Sequence, residues 1–345
     1  MRATLKSCAS TLSGNGYTAV MSPVSRSDAE FLDAAAALAG RARPLSRPNP
    51  GVGAIVVQAG RVIARGWTQA GGRPHAEAGA LAAAGKAARG ATLYVTLEPC
   101  AHRSERGPSC TSLLLASGIA RVVVGCADPD PRTAGAGIAA LRQAGITVDV
   151  LPRAAASASL AGYLMRATAG RPHVTLKLAT SLDGCIALAD GTSQWITGPE
   201  ARAHAHLERA CADAILVGGG TLRADAPRLD VRLRGLEHRN PQRFVLTRGP
   251  VPAGWTALGD IGVAGAFGDA QYLMVEGGAG AAAAFLHADL VDRLLIYRAP
   301  IMIGGGRPSV GDIGLGSLDR AHGRWQPTDT RRLGSDRLEV YERTR

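Results

Sequence analysis

The stretch His75-Ala76-Glu77, then Thr96-Leu97-Glu98-Pro99-Cys100, then Ser109-Cys110 decides how this chain folds. A helix reads from about 75 to 84, a strand from 91 to 97 and a second helix from 110 to 117. His75 opens the first helix after the loop Gly71-Gly72-Arg73-Pro74. Cys100 and Cys110 flank a loop that opens the second helix, whose N-terminus favours thiolates. A catalytic zinc takes three protein ligands and keeps a fourth position open, and His75, Cys100 and Cys110 are candidates for the three. Glu77, two residues beyond His75, can reach the open position without ligating.

Outward from that centre, helical and β-branched segments alternate from 28 to 150. A helix is predicted over 31–39, a strand pair over 52–57 and 62–64 across Ala59-Gly60, and a strand over 121–125. A helix over 137–144 and a last strand over 146–151 follow. Such alternation argues for a layered α/β domain. An Ala-rich helix over 153–166 then connects to Gly170-Arg171-Pro172, giving a linker at 151–171. A second α/β pattern, 172–345, restarts at 173–178, with strands at 214–217, 242–246, 272–276 and 293–297. Glycine clusters follow three of these strands, at 218–220, 277–280 and 304–306.

Length and composition agree. A chain of 345 residues favours two domains, and 46% hydrophobic against 19% charged residues excludes a disordered chain. No stretch reaches the ~18 apolar residues of a membrane span. Six cysteines are too sparse for a disulfide framework, which predicts a soluble, cytoplasmic protein that uses thiols for metal or catalysis. The net charge of +11 invites a nucleic-acid reading, but only Lys6, Lys86 and Lys177 among the 39 basic residues are lysine. With so much Ala and Gly, that composition reflects GC-rich coding, and no basic run is interleaved with aromatics. No nucleic-acid or membrane partner is expected. Residues 1–27 are Ser/Thr-rich, lack the apolar core of a secretory signal and read as a disordered tail holding an isolated Cys8. Translation from Met21 is the alternative.

The H-x-E, P-C and further cysteine resemble the zinc-dependent nucleoside and nucleobase deaminases. Transfer-RNA and cytidine deaminases space the two cysteines as C-x-x-C. Here Ala101-His102-Arg103-Ser104-Glu105-Arg106-Gly107-Pro108-Ser109 separates them. That long loop resembles the deaminase half of the bifunctional riboflavin biosynthesis family, which has P-C-x-H and a gap one residue shorter. Arg47-Pro48-Asn49-Pro50-Gly51-Val52-Gly53 and Asp128-Pro129-Asp130-Pro131 match further motifs of that family. The resemblance implies that zinc lowers the pKa of a bound water toward ~7. Glu77 would take the proton and pass it to departing ammonia. It also implies that Asn49 and His102 touch the pyrimidine or its ribose phosphate; the alternative readings are a turn asparagine and a loop histidine. Cys126, Cys185 and Cys211 have no partner at ligand spacing and read as small buried residues.

In the second half, Lys177-Leu178-Ala179-Thr180-Ser181-Leu182-Asp183-Gly184 and Ser193-Gln194-Trp195-Ile196-Thr197 resemble the reductase half of the same family. So does the run from Gly220-Thr221 through Asp225 and Pro227 to Leu229 and Arg232. There is no G-x-G-x-x-G, so a Rossmann assignment fails. Glu276-Gly277-Gly278-Ala279-Gly280 instead places bare backbone N–H groups at a helix start, a seat for phosphate. The resemblance implies that Ala179, Trp195, Thr221, Asp225 and the turn of Gly278, Ala279, Gly280, Ala281, Ala282, Ala283 and Ala284 hold NADPH. It further implies that Ser193, Arg209, Leu229, Arg232 and Glu276 hold the sugar phosphate. Lys177 reads equally as a substrate contact and as an exposed lysine. Thr247-Arg248 replaces the family's usual Asp-Ser, so Arg248 is a candidate for a 2′-phosphate. The segment 249–271 is short for the family.

Together these imply a cytidine-deaminase-like three-layer α/β/α domain followed by a dihydrofolate-reductase-like α/β domain. The chain would be a riboflavin biosynthesis enzyme acting on a small pyrimidine ribosyl phosphate, with zinc and NADPH, as a homodimer or higher homo-oligomer. The alternative is a tRNA or nucleoside deaminase with an appended non-reductase domain. The spacing of nine residues between Cys100 and Cys110 argues against it.

Overall fold

The computed structural model describes residues 26–102, 104–262 and 265–345. The tail reading, Cys8 and the Met21 alternative lie outside the described residues. After α1 (Arg26–Ala39), the first half runs β1 (Gly53–Gln58), β2 (Arg61–Trp67), α2 (Ala76–Ala84) and β3 (Thr92–Val95). It continues α3 (Cys110–Ser117), β4 (Arg121–Val124), α4 (Ala136–Gln143) and β5 (Thr147–Val150). Its sheet has the order β2-β1-β3-β4-β5, with β1 antiparallel to β2 and β3 and the other pairs parallel.

Alternation along the strands splits this sheet into two packed faces. Ile55, Val57, Tyr94 and Val123 face Leu32 and Ala35 of α1. Ala54, Val56, Leu93, Val95, Val122 and Val124 face the other way and pack with Ala80, Leu114 and Leu141 of α2, α3 and α4. The result is three layers, as expected. Ala59 and Gly60 both take positive φ in the β1–β2 turn, the backbone that fits the twist of a two-residue hairpin. A buried polar knot closes the α1 face: Tyr94 Oη donates to Asp28 at 2.6 Å, and both Arg121 Nη atoms reach the same carboxylate at 3.0 Å.

The connector is two helices, α5 (Ala154–Ser159) and α6 (Ala161–Ala169), not one. The break falls at Leu160, which is fully buried in the first core, with α5 packed on α1 and α6 reaching β6. Burying Leu160 between two directions of packing outweighs helical continuity.

The second half is β6 (His173–Thr180), β7 (Cys185–Ala187), α7 (Pro199–Ala210), β8 (Ala214–Gly218), α8 (Gly219–Asp225) and β9 (Gln242–Leu246). Then come β10 (Trp255–Leu258), β11 (Tyr272–Glu276), α9 (Ala279–His287), β12 (Arg293–Arg298), β13 (Arg307–Pro308), β14 (Trp325–Leu333) and β15 (Asp336–Arg343). Its eight-stranded sheet is ordered β10-β9-β8-β11-β6-β12-β15-β14. The six strands from β10 to β12 are parallel, and β15 and β14 add an antiparallel edge. Parallel strands need both faces covered, which explains the continuous burial of β8 and β11. No helix among the described residues is long and apolar enough to cross a membrane.

Candidate active sites

The first site is built at the start of α2. Gly66 of β2 lets the helix come this close: a Cβ there would lie 2.1 Å from the Ala76 carbonyl oxygen. His75 is the N-cap of α2 and Glu77 lies in its first turn, 3% exposed. Ser109 caps α3, its hydroxyl accepting from the Ser112 N–H at 3.1 Å, so Cys110 begins that helix. The Cys110 N–H points at Cys100 Sγ, 3.4 Å away.

His75 Nδ1 lies 3.3 Å from Cys110 Sγ and 3.6 Å from Cys100 Sγ, and the three ligand atoms fall within 4.8 Å of one another. A tetrahedral zinc with ordinary Zn–S and Zn–N bonds sets such edges at roughly 3.6 Å, so the donor set fits the ion. The two thiols act on each other: contact with Cys100 and burial push the Cys110 thiol up. Cys110's thiol, His75 and the Cys110 N–H hold the Cys100 thiol well below the usual thiol range. Burial pushes the Glu77 carboxyl up to about 7, against the pull of His75.

A pocket of about 260 Å³ opens over His75, Glu77 and Cys100. Asn49 and His102 both line it. The Asn49 amide donates to the Gly72 carbonyl at 3.0 Å and lies 3.3 Å from His75 Nε2, the ring nitrogen turned away from the thiols. His102 Nδ1 is 3.5 Å from Thr133 Oγ1. Sequence reasoning missed Arg73, Arg106, Asp128, Arg132 and Tyr163, which also line the pocket. Arg73, beside His75, carried a weak signal. Tyr163 carried none, because it arrives from α6 and donates to Asp128 Oδ1 at 2.6 Å. Glu98 of the Pro99-Cys100 turn is structural: its carboxylate accepts from the backbone N–H groups of Asp128, Gly135 and Ile138.

The second site lies at the C-terminal ends of the parallel strands, where α/β sheets bind ligands. Glu276 at the end of β11 pairs in register with Lys177 of β6, whose Nζ is 3.7 Å from the carboxylate. Arg209 of α7 grips the same carboxylate and donates to the Asp230 carbonyl at 3.0 Å. Burial alone would raise the Glu276 pKa; Lys177 and Arg209 outweigh it and hold it at about 2. Arg232 Nε lies 3.4 Å from Asp230 Oδ1, with Arg228 on the other carboxylate oxygen and His206 against the Asp230 carbonyl. His206, Arg228 and Asp230 were missed; nothing in their spacing marks them.

One strand away, glycines line an open edge. A Cβ at Gly278 would fall 2.7 Å from Thr221 Oγ1, so that residue and Thr221 meet backbone to side chain. Gly220 and Gly280 have no atom within 4 Å of where a side chain would go. Open backbone at two adjoining strand ends fits the phosphates of a dinucleotide. Gly278 is the N-cap of α9, and Ala279 and Gly280 form its first turn. A helix begins at Ala279, where the sequence places a helix start. Ala281, Ala282 and Ala283 are buried beneath it and Ala284 is half-buried, so these side chains face the protein and not an open site. Leu229 likewise packs into the core with Val217 and Val245, 4% exposed. Asp225 is exposed, Ala179 and Ser193 are half-buried, and Trp195 is 62% exposed beneath Arg202. Arg248 is exposed just past β9.

Residues 172–253 and 268–338 match the RibD C-terminal domain, and residues 25–126 match the cytidine and deoxycytidylate deaminase zinc-binding region. The chain is 40% identical over 308 residues to the riboflavin biosynthesis protein RibD of Mycobacterium tuberculosis, covering 84% of this chain and 90% of that protein. It is 35% identical to RibD of Aquifex aeolicus, covering 92% and 98%. Among solved structures, Acinetobacter baumannii RibD superposes with a TM-score of 0.81 at 32% identity, covering 93% of this chain and 99% of that one. A diaminohydroxyphosphoribosylaminopyrimidine deaminase/5-amino-6-(5-phosphoribosylamino)uracil reductase from Thermotoga maritima superposes at 0.80 with 31% identity, covering 92% and 99%. With its thiol-imidazole triad in one half and its glycine-lined strand ends in the other, the chain belongs to the RibD family, and joins a zinc-binding deaminase domain to an NADPH-using reductase domain for riboflavin biosynthesis.

Proposed function

We propose that the deaminase half hydrolyses the 2-amino group of 2,5-diamino-6-ribosylamino-4(3H)-pyrimidinone 5′-phosphate. The reductase half then reduces the ribosyl chain, giving 5-amino-6-ribitylamino-uracil 5′-phosphate. The observation that carries this reading is the buried Glu77 carboxyl beside the His75, Cys100 and Cys110 triad, at the floor of a pocket rimmed by Arg73 and Arg106. When bound, zinc supplies the Lewis acidity that makes water nucleophilic near neutral pH. Glu77, its pKa raised to about 7 by burial, accepts a proton from the attacking water and returns it to the leaving ammonia. Asn49 and His102 orient the pyrimidine, and the rim arginines receive its phosphate.

In the second half, Thr221, Asp225, Trp195 and Ala179 with Gly278, Ala279 and Gly280 hold the dinucleotide. NADPH, when bound, supplies the hydride. Lys177, Glu276, Arg209, Arg232 and Ser193 hold the sugar phosphate, the carboxylate accepting from ribose or ribityl hydroxyls. The proposed domains run over 28–150 and 172–345, with 151–171 between; strands that end at Val150 and resume at His173 support these limits. The five cysteines among the described residues are free thiols, which fits the cytoplasm. Exposed Trp195, Met302 and Leu318 in the reductase half support a homo-oligomer. One assay tests the function: ammonia release from the diaminopyrimidine phosphate, with NADPH absorbance followed in the same cuvette. Ammonia followed by NADPH loss is expected; neither, with zinc supplied, would remove the substrate assignment.

A further inference from the structure

The segment Arg47-Pro48-Asn49-Pro50 poses an accounting problem. Its two prolines have no N–H, so the loop cannot build a ladder of its own, and its carbonyls need donors from elsewhere. The donor comes from the other domain. Gln271, 4% exposed and immediately before β11, donates from Nε2 to the Pro48 carbonyl at 2.8 Å and to the Asn49 carbonyl at 3.2 Å.

Gln271 is itself well fixed. The Asp213 carboxylate accepts its backbone N–H at 2.8 Å and that of Tyr272 at 2.9 Å, and its carbonyl accepts from His173 at 2.8 Å. The strand it precedes is paired on both sides, to β6 and to β8. On the loop, Arg47 reaches Asp213 at 3.7 Å and Asp269 at 3.4 Å. Asn49 therefore stands between two anchors. Its carbonyl is tied to a rigid strand of the reductase half, and its side chain lies in the deaminase pocket against His75.

We propose that Gln271, a residue of the reductase half, is a positioning residue for deamination: its carboxamide fixes the Pro48–Asn49 backbone and so sets the Asn49 side chain in the deaminase pocket. This rests on the reading of Asn49 as a substrate contact. Losing the tether loosens substrate binding and leaves the reductase cleft, at the far end of β11, as it was.

The test uses the full-length zinc-loaded protein. Gln271→Met keeps the length of the side chain and removes the donor. Its KM for the diaminopyrimidine phosphate should rise about tenfold, with the reductase KM and kcat within about twofold of the parent. In an Asn49→Ala background the same change should add less than about twofold, because the group it positions is gone. An unchanged deaminase KM, an equal factor in both backgrounds, or parallel loss of both activities would overturn the proposal. Should Gln271→Met fail to fold, Gln271→Glu decides in its place, since a carboxylate cannot donate to the two carbonyls. If Asn49→Ala alone leaves the KM unchanged, the reading of Asn49 falls and the proposal with it. That pattern differs from a silent Gln271→Met beside a responsive Asn49→Ala.

Discussion

Arg209 holds Glu276 through two parallel hydrogen bonds, Nε to Oε1 at 2.5 Å and Nη2 to Oε2 at 2.8 Å. Both side chains are largely buried, and Lys177 approaches the same carboxylate from the neighbouring strand. Breaking a buried pair by removing one partner leaves an uncompensated charge and typically costs about 3–5 kcal/mol. The arrangement holds an ionised, buried carboxylate between two cations at the end of β11.

Glu276→Gln tests that arrangement. The amide keeps the shape but leaves Arg209 and Lys177 without their counter-charge. Reductase kcat/KM should fall by about a hundredfold or more, and the melting temperature should drop by several degrees. Ammonia release, measured below the melting transition, should be retained. A variant with parental reductase kinetics would place the substrate elsewhere.

For the deaminase half the informative change is Glu77→Gln. The three ligand atoms belong to His75, Cys100 and Cys110, so bound zinc, measured by elemental analysis, should stay near one per chain. Ammonia release should fall by about 10²–10⁴-fold, the usual contribution of a positioned proton carrier. Retained turnover would end the assignment of Glu77.

Much of this was legible in the sequence, for identifiable reasons. The predicted helix over Cys110–Ser117 matches the structure because Ser109 caps it and Gly118 ends it in the left-handed region. The predicted strands at Gln242–Leu246 and Tyr272–Glu276 are apolar runs that the parallel sheet buries. The β14–β15 hairpin went unread, since β14 alternates weakly and is mostly exposed; its order comes from pairing with β15 and not from its own pattern. At the sites, the zinc triad was legible because a ligand set has characteristic residue types and spacing. The link between Asn49 and Gln271 spans 222 positions and uses a backbone carbonyl, so no local pattern carries it. The alanines after Gly280 were legible as the helix that opens there, which is apolar enough for Ala281, Ala282 and Ala283 all to be buried.

A role for Arg248 in choosing between the two nicotinamide cofactors can be tested directly. It is exposed past the end of β9, beside Thr247, whose hydroxyl would lie 3.0 Å from a Cβ at Gly219 of the glycine edge. A guanidinium there would pair with a 2′-phosphate and find no partner on NADH. Arg248→Ala should raise the KM for NADPH about tenfold and leave that for NADH unchanged, so the preference ratio collapses. An unchanged ratio would assign the 2′-phosphate to another group.

His173, where β6 begins, ties stability to pH. It is 9% exposed, its ring lies 6.0 Å from that of Tyr272, and its Nδ1 has no hydrogen-bond partner. Burial lowers its pKa to about 4; Asp292 opposes that, while Arg43, Arg293 and Arg171 add to it. A histidine depressed in the folded state contributes stability that is complete above its unfolded pKa of about 6.5 and is lost as pH falls toward 4. The shift corresponds to about 3 kcal/mol at most. His173→Phe removes the titration and forfeits no bond at Nδ1, so its stability near neutral pH should stay within about 1.5 kcal/mol of the parent. Melting temperatures taken at intervals from pH 7 to pH 4 should fall more steeply for the parent than for the variant. Parallel slopes would show that the acid sensitivity of the fold arises from other groups, and that protonated His173 is accommodated by Asp292.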